Sequence, residues 1–140
     1  MLRGMFVPYL WWSVEILFYL PPFCFITPFI VVGVVVSIFI QKPFGREIWS
    51  RRYPIAILQF ACYPATLLVA AIGAVNGPEP NQWGFRATYA LALLSLGIGI
   101  YWVCLMKELR WYATSVVVLQ LWLLAGANLI AGMALTGRWL

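Results

Sequence analysis

Side chains that could do chemistry are concentrated in two short polar segments, 41–53 and 107–111. Each segment places a basic residue directly before a glutamate and an aliphatic residue. Either segment could therefore hold a lipid phosphate beside a carboxylate, although basic residues that merely flank a membrane give the same pattern. The expected headgroup or partner contacts are Lys42, Arg46, Glu47, Arg51, Arg52, Lys107, Glu108 and Arg110.

Residue types that the chain lacks or scatters exclude several chemistries. The chain has no histidine, so an imidazole base, a Ser-His-Asp triad and a His-ligated haem, copper or zinc are excluded. Cys24, Cys62 and Cys104 lie in separate apolar segments without CxxC spacing, and we expect them to act as small buried hydrophobes. We expect no enzyme activity, no metal and no cofactor, only structural lipids, and leave pigment binding by other ligands open.

The composition indicates an integral membrane protein. Hydrophobic residues make up 64% of the 140 residues and charged residues only 9%, whereas soluble domains are about 45–50% apolar. The net charge of +5 falls in short clusters and not on one basic face, so nucleic acid is not an expected partner. The length predicts a single domain covering residues 1–140.

Four apolar stretches are long enough to cross a bilayer, which takes about 20 residues. They cover approximately residues 21–40, 54–75, 85–106 and 112–135. Residues 112–137 carry no charge on any face, unlike an amphipathic helix of a soluble protein. The sequence therefore predicts an all-α integral membrane protein with four transmembrane helices.

The N-terminal segment, residues 5–19, is predicted to form an interfacial helix. The pair Pro21-Pro22 should separate it from the first span, because proline disrupts a helix interior. Trp11 and Trp12 would then lie at headgroup depth and Glu15 would point to water. A short fifth span, or a half-helix that enters the bilayer, is the alternative.

The distribution of basic residues predicts the orientation. Six basic residues lie in segments 41–53 and 107–111, against three on the opposite side. By the positive-inside rule these loops face the cytoplasm, and both termini and the turn-rich segment 76–84 face outward, in the cell or inner membrane. Trp83 and Trp139 would then be anchors at the outer interface.

A weak internal repeat appears when the chain is shifted by 61 residues. The segment Arg46-Glu47-Ile48 then superposes on Lys107-Glu108-Leu109, and Gln59 superposes on Gln120. Two helical hairpins of the same topology, a parallel repeat, would give this pattern.

Neutral polar residues inside the spans need partners, because an unpaired amide in lipid is costly. We interpret Gln59, Thr66, Gln120 and Asn128 as contacts between helices, or alternatively as the polar lining of a path. Small residues at Ala127 and Ala131, and at Ala70 and Ala74, have the spacing that lets membrane helices approach closely. The C-terminal halves of the second and fourth spans are therefore expected to pack tightly.

These observations favour a non-catalytic, accessory subunit of a larger membrane complex, such as an energy-transducing or transport assembly. Its partners would be membrane lipids and other integral membrane subunits, identical or different. The alternative is a small homo-oligomeric channel or carrier with a neutral polar lining. An enzyme that acts on lipid, with Glu47 and Glu108 near basic side chains, is a third hypothesis.

Overall fold

The structure, a computed structural model, describes residues 2–21, 23–41, 53–75 and 82–136. Within these ranges the chain is helical and contains no strand. The elements are α1 (Leu2–Tyr19), α2 (Phe23–Gln41), α3 (Tyr53–Val75), α4 (Gln82–Leu105), a 3₁₀ turn (Lys107–Leu109) and α5 (Arg110–Thr136).

The four predicted spans are present as α2 to α5. Each is long and apolar enough to cross a membrane, and each begins and ends within three residues of its predicted bounds. This confirms the prediction of an all-α protein with four candidate transmembrane helices.

The turn-rich segment was expected to extend to residue 84, but α4 already begins at Gln82. Gly84 is buried in the first turn of α4, facing the end of α5. A Cβ atom there would lie 2.6 Å from the Leu135 Cδ2 atom. The glycine therefore serves close helix packing, not a reversal of the chain.

Helices α3 and α5 run parallel and form the centre of the bundle. Near their N-terminal ends, Tyr53 and Ala56 pack in one cluster with Tyr112 and Ala113. Near their C-terminal ends, the packed cluster contains Ala70, Ala71, Ala127 and Ala131. Midway along the pair, the Gln120 side-chain amide donates a hydrogen bond of 3.0 Å to the backbone carbonyl oxygen of Gln59. The two helices therefore lie side by side with residues that are 61 positions apart in the sequence next to each other.

Helix α4 packs against both members of this pair. Its Trp102 side chain is fully buried and meets the rings of Tyr53 and Tyr112 edge-on, with centroid separations of 6.2 and 6.4 Å. Aromatic rings favour such edge-to-face contacts, so one tryptophan joins the ends of three helices.

Helix α2 lies at the edge of the bundle and packs on α1 and α5. The first N–H groups of a helix have no partner within it. At α5 one of them, the backbone N–H of Tyr112, donates to Gln41 Oε1 at 2.9 Å. At the other end of α2 the Phe23 ring packs on the Trp122 ring, with centroids 4.9 Å apart.

Pro21 stands at the break between α1 and α2. A helix through this point would need the residue-21 N–H to bond the carbonyl of Leu17, and proline has no N–H. The Thr27 hydroxyl lies 2.7 Å from that carbonyl oxygen and 2.8 Å from the Phe23 carbonyl oxygen, so its single proton is shared between these two acceptors. It accepts a bond of 2.9 Å from the Trp122 indole N–H. The carbonyl left without its helical partner thereby links α1, α2 and α5.

Helix α1 packs alongside the C-terminal halves of α3 and α5. Tyr9 is buried among Ala71, Ile130 and their neighbours, and the Ser13 hydroxyl shares a hydrogen bond with the Tyr63 hydroxyl. Helix α1 also approaches Gly126 of α5, where a Cβ atom would lie 2.8 Å from the Ser13 carbonyl oxygen and 3.1 Å from Leu17 Cδ2.

Replacing Gly126 by alanine should loosen α1 from α5, because the new methyl group meets a backbone oxygen that cannot rotate away. Overpacking of this kind typically costs about 1–3 kcal/mol, so the Gly126→Ala variant should melt at a lower temperature in detergent. Gly132→Ala is the matched control in the same helix, since nothing lies within 4 Å of its Cβ position. Equal melting temperatures for the two variants would contradict this account of the α1–α5 contact.

Candidate functional site

The most polar part of the bundle interior is a cluster of three side chains from three helices. Gln59 of α3, Ser95 of α4 and Gln120 of α5 are all completely buried. Gln59 and Gln120 touch through a hydrogen bond, and Ser95 lies one helical turn before Gly99, whose Cβ position is 2.8 Å from Gln59 Nε2. We call these three residues the amide cluster.

The amide cluster holds more hydrogen-bonding atoms than it pairs. Gln120 Nε2 donates to the Gln59 carbonyl oxygen. Among the described residues, no partner is present for Gln59 Nε2, Gln59 Oε1, Gln120 Oε1 or Ser95 Oγ. A buried polar atom without a partner costs about 1–3 kcal/mol, so the cluster is an unfavourable feature of an otherwise apolar interior.

A glycine brings α4 close to the amide cluster. A Cβ atom at Gly99 would lie 2.8 Å from Gln59 Nε2 and 2.9 Å from Val117 Cγ1. Gly97, two residues earlier, has nothing within 4 Å of its Cβ position. Gly99 therefore provides the space into which the Gln59 amide projects.

The chemistry available to the amide cluster is hydrogen bonding by neutral groups. Amides and hydroxyls in a buried site commonly hold water, which makes about three hydrogen bonds there. No group of three His, Cys, Asp or Glu side chains that could hold a metal ion occurs in the described ranges.

The other two polar residues singled out in the spans bond within their own helices. The Thr66 hydroxyl donates to the Cys62 carbonyl oxygen at 2.9 Å, and Asn128 Nδ2 donates to the Leu124 carbonyl oxygen, also at 2.9 Å. Thr66 is fully buried, whereas Asn128 is only half-buried. The structure thus brings Gln59 and Gln120 together, whereas the side chains of Thr66 and Asn128 donate hydrogen bonds to carbonyl groups of their own helices.

The small residues singled out in α5, Ala127 and Ala131, lie in the packed cluster with Ala70 and Ala71 of α3. All four are essentially inaccessible to solvent. This seam lies in the halves of the helices that also contact α1.

One of the two polar segments is described. Lys107, Glu108 and Arg110 are exposed, whereas Leu109 is buried among Trp102, Met106 and Tyr112 and anchors the 3₁₀ turn. Several predicted contact residues fall outside the described residues, namely Lys42, Arg46, Glu47, Arg51, Arg52 and Trp139. The three predicted anchors that are described, Trp11, Trp12 and Trp83, have exposed side chains.

Glu15 has surroundings that sequence reasoning did not anticipate. Its side chain is half-buried, and its Oε1 atom accepts a hydrogen bond of 2.6 Å from the Trp11 indole N–H. Glu15 lines two grooves on the surface of α1. The signal available in the sequence was the four-residue spacing of Trp11 and Glu15, which places both on one helix face.

No protein-family model, curated protein or solved structure matches the chain. The interpretation of its function therefore depends on its own residues and their packing.

Replacing Gln59 by methionine should stabilise the protein, because it removes two buried polar atoms that lack partners and keeps the side-chain length. We expect a gain of about 1–3 kcal/mol, seen as a higher melting temperature in detergent. Gln120→Met should gain less, since it also removes the bond to the Gln59 carbonyl. A lower melting temperature for Gln59→Met would instead indicate that bound water satisfies these atoms.

Proposed function

We propose that the chain is a non-catalytic subunit of a larger membrane protein complex. The observation that carries this proposal is the poor burial of α2. Only 11% of its most apolar 18-residue window is buried, against 44% for α5, although α2 is the most hydrophobic of the four candidate spans. A helix so incompletely packed leaves a large surface for other subunits.

The exposed surface of α2 is rich in large rings. Phe25, Phe29 and Phe39 are each at least 70% exposed. Without a hydrophobic drive between helices in lipid, association depends on close packing, and aromatic side chains are enriched where proteins meet. The proposed contact surface is therefore the face of α2 formed by Phe25, Phe29, Val32, Val36 and Phe39. Lipid would cover the part of this face that a partner does not contact.

The burial of the amide cluster weighs against the alternative of a homo-oligomeric channel or carrier with a neutral polar lining. Gln59, Thr66 and Gln120 have no exposed area. They would reach a pore between subunits only if α3, α4 and α5 separated. Their positions favour contact between helices of one chain.

A finer proposal concerns α1. The contacts of Tyr9, Ser13 and Leu17 run along the sides of α3 and α5 and not across their ends. This supports the half-helix that enters the bilayer over the interfacial helix.

Duplication of a helical hairpin, α2–α3 and α4–α5, is the second finer proposal. It is supported by the register of Gln59 and Gln120, which lie 61 residues apart and touch. It is also supported by crossed packing, since α2 lies on α5 and α4 lies on α3. In such a parallel repeat, both hairpin loops lie on one side of the membrane.

Alanine substitution of Phe25 and Phe29 together should detach partner subunits and leave the isolated chain folded, because both side chains are exposed. The test is purification from the native membrane in mild detergent, followed by mass spectrometry of stoichiometric components. The matched control is Tyr89→Ala with Leu93→Ala on the exposed face of α4, which should retain the partners. Recovery of the wild-type chain alone, as a homo-oligomer, would refute the proposal.

The proposed orientation places segments 41–53 and 107–111 in the cytoplasm and segment 76–84 outside. In a variant without native cysteines, Glu79→Cys should react with a membrane-impermeant maleimide on intact cells. Glu108→Cys, on an exposed turn, should react only after the membrane is opened. The reverse labelling pattern would invert the orientation.

A further inference from the structure

We propose that the groove between α1 and α5 binds a lipophilic organic cation, with Glu15 as its counter-ion. The groove has a volume of about 370 Å³ and is lined by Trp12, Glu15, Ile16, Tyr19 and Leu20 of α1 and by Ile130 and Met133 of α5. This volume falls within the range of about 300–1,000 Å³ that is typical of small-molecule sites.

Glu15 lies beside the middle of two apolar helices, where a carboxylate needs a partner. Ser13, two residues earlier, contacts Gly126 and Tyr63, which lie near the midpoints of α5 and α3. Since a helix rises 1.5 Å per residue, Glu15 lies within about one turn of the middle of two apolar helices. Ionisable groups at such depth are costly and pair with an opposite charge.

The described partner of the carboxylate is neutral. Trp11 donates one hydrogen bond to Oε1, which holds the side chain in place without cancelling a charge. Among the described residues, neither groove beside Glu15 is lined by a lysine or an arginine. A cation bound in the groove would supply the charge that complements Glu15.

The rest of the lining specifies what carries that charge. Trp12, Glu15 and Tyr19 follow one another at the i, i+3 and i+7 positions of one helix face, so the carboxylate lies between two aromatic rings. Aromatic faces attract ammonium and similar cations, most strongly when water is excluded. Ile16, Ile130 and Met133 provide an apolar wall, which suits a cation with a hydrophobic body and not a hydrated metal ion.

A second groove of about 430 Å³ on the outward face of α1 is lined by Trp11, Val14, Glu15, Phe18 and Tyr19. Glu15 and Tyr19 border both grooves. A cation held by the carboxylate thus has an open apolar surface on the lipid-facing side, through which it can enter and leave.

The test is equilibrium binding of radiolabelled tetraphenylphosphonium to the purified full chain in a non-ionic detergent. Tetraphenylborate, an anion of the same shape and size class, is the control probe. We expect saturable binding of one tetraphenylphosphonium per chain and none of tetraphenylborate. Equal binding of the two ions, or no binding of the cation, would overturn the proposal.

Glu15→Gln should weaken tetraphenylphosphonium binding by about tenfold or more, because a charge-assisted contact becomes a neutral one. Trp12→Leu should weaken it by a few-fold through loss of the aromatic face. Glu108→Gln, at an exposed position in the 3₁₀ turn, is the matched control and should leave the affinity unchanged. Unaltered affinity in a folded Glu15→Gln variant would overturn the role of the carboxylate.

A further arm distinguishes a subunit contact from a ligand site. If a partner helix supplies the cation, a carbodiimide should couple Glu15 to a lysine of a co-purifying protein in native membranes. That cross-link would overturn the small-molecule proposal and support the subunit role, whereas cation binding by the chain alone leaves the subunit role to the co-purification experiment.

Discussion

The absence of water in the bilayer core is the constraint from which the arrangement of helices follows. Every backbone carbonyl at membrane depth must find a donor within the protein. Pro21 withholds the donor that the Leu17 carbonyl would need, and the Thr27 hydroxyl and Trp122 indole complete the hydrogen-bonding chain. The same rule explains the contact of Gln41 with the first turn of α5. At both ends, α2 is thus linked to α5 through polar groups that lack a hydrogen-bond partner within their own helix.

The amide cluster differs from these helix ends, because the described protein groups do not pair all of its polar atoms. Four buried polar atoms of Gln59, Ser95 and Gln120 have no partner among the described residues. Sites that depart from local rules in this way are where functional or strained features are expected.

Much of the fold could be predicted from the sequence, because bilayer thickness fixes how long an apolar run must be. The bounds of α2 to α5 follow from that length alone. The packing could not be predicted, and the glycines explain why. Gly97, Gly99, Gly126 and Gly132 all lie in apolar stretches and look alike in sequence, yet only Gly99 and Gly126 receive a neighbouring group at close range.

The candidate site shows the same division. The 61-residue shift singled out Gln59 and Gln120 as a pair, since identical polar residues in matching helices are uncommon in so apolar a chain. Ser95 belongs to the same cluster because α4 packs against α3 and α5. No spacing along the sequence could indicate that packing. Glu15 was expected at the water boundary because charge alone suggested it. The structure adds that α1 is held against α5 where Ser13 meets Gly126, a steric contact that hydropathy does not record.

The contacts at the two ends of α2 also affect the order in which the helices can pack during synthesis. Its polar partners in α5 lie 71 and 95 residues further along the chain. At about 5–20 residues per second, the ribosome needs on the order of ten seconds to make them. During that interval α1 is the main helix against which α2 can pack, and the Thr27 hydroxyl already lies close to the Leu17 carbonyl oxygen. Helix α5 is therefore the element that closes this bundle, because α2 gains both of these polar partners only after α5 has been made.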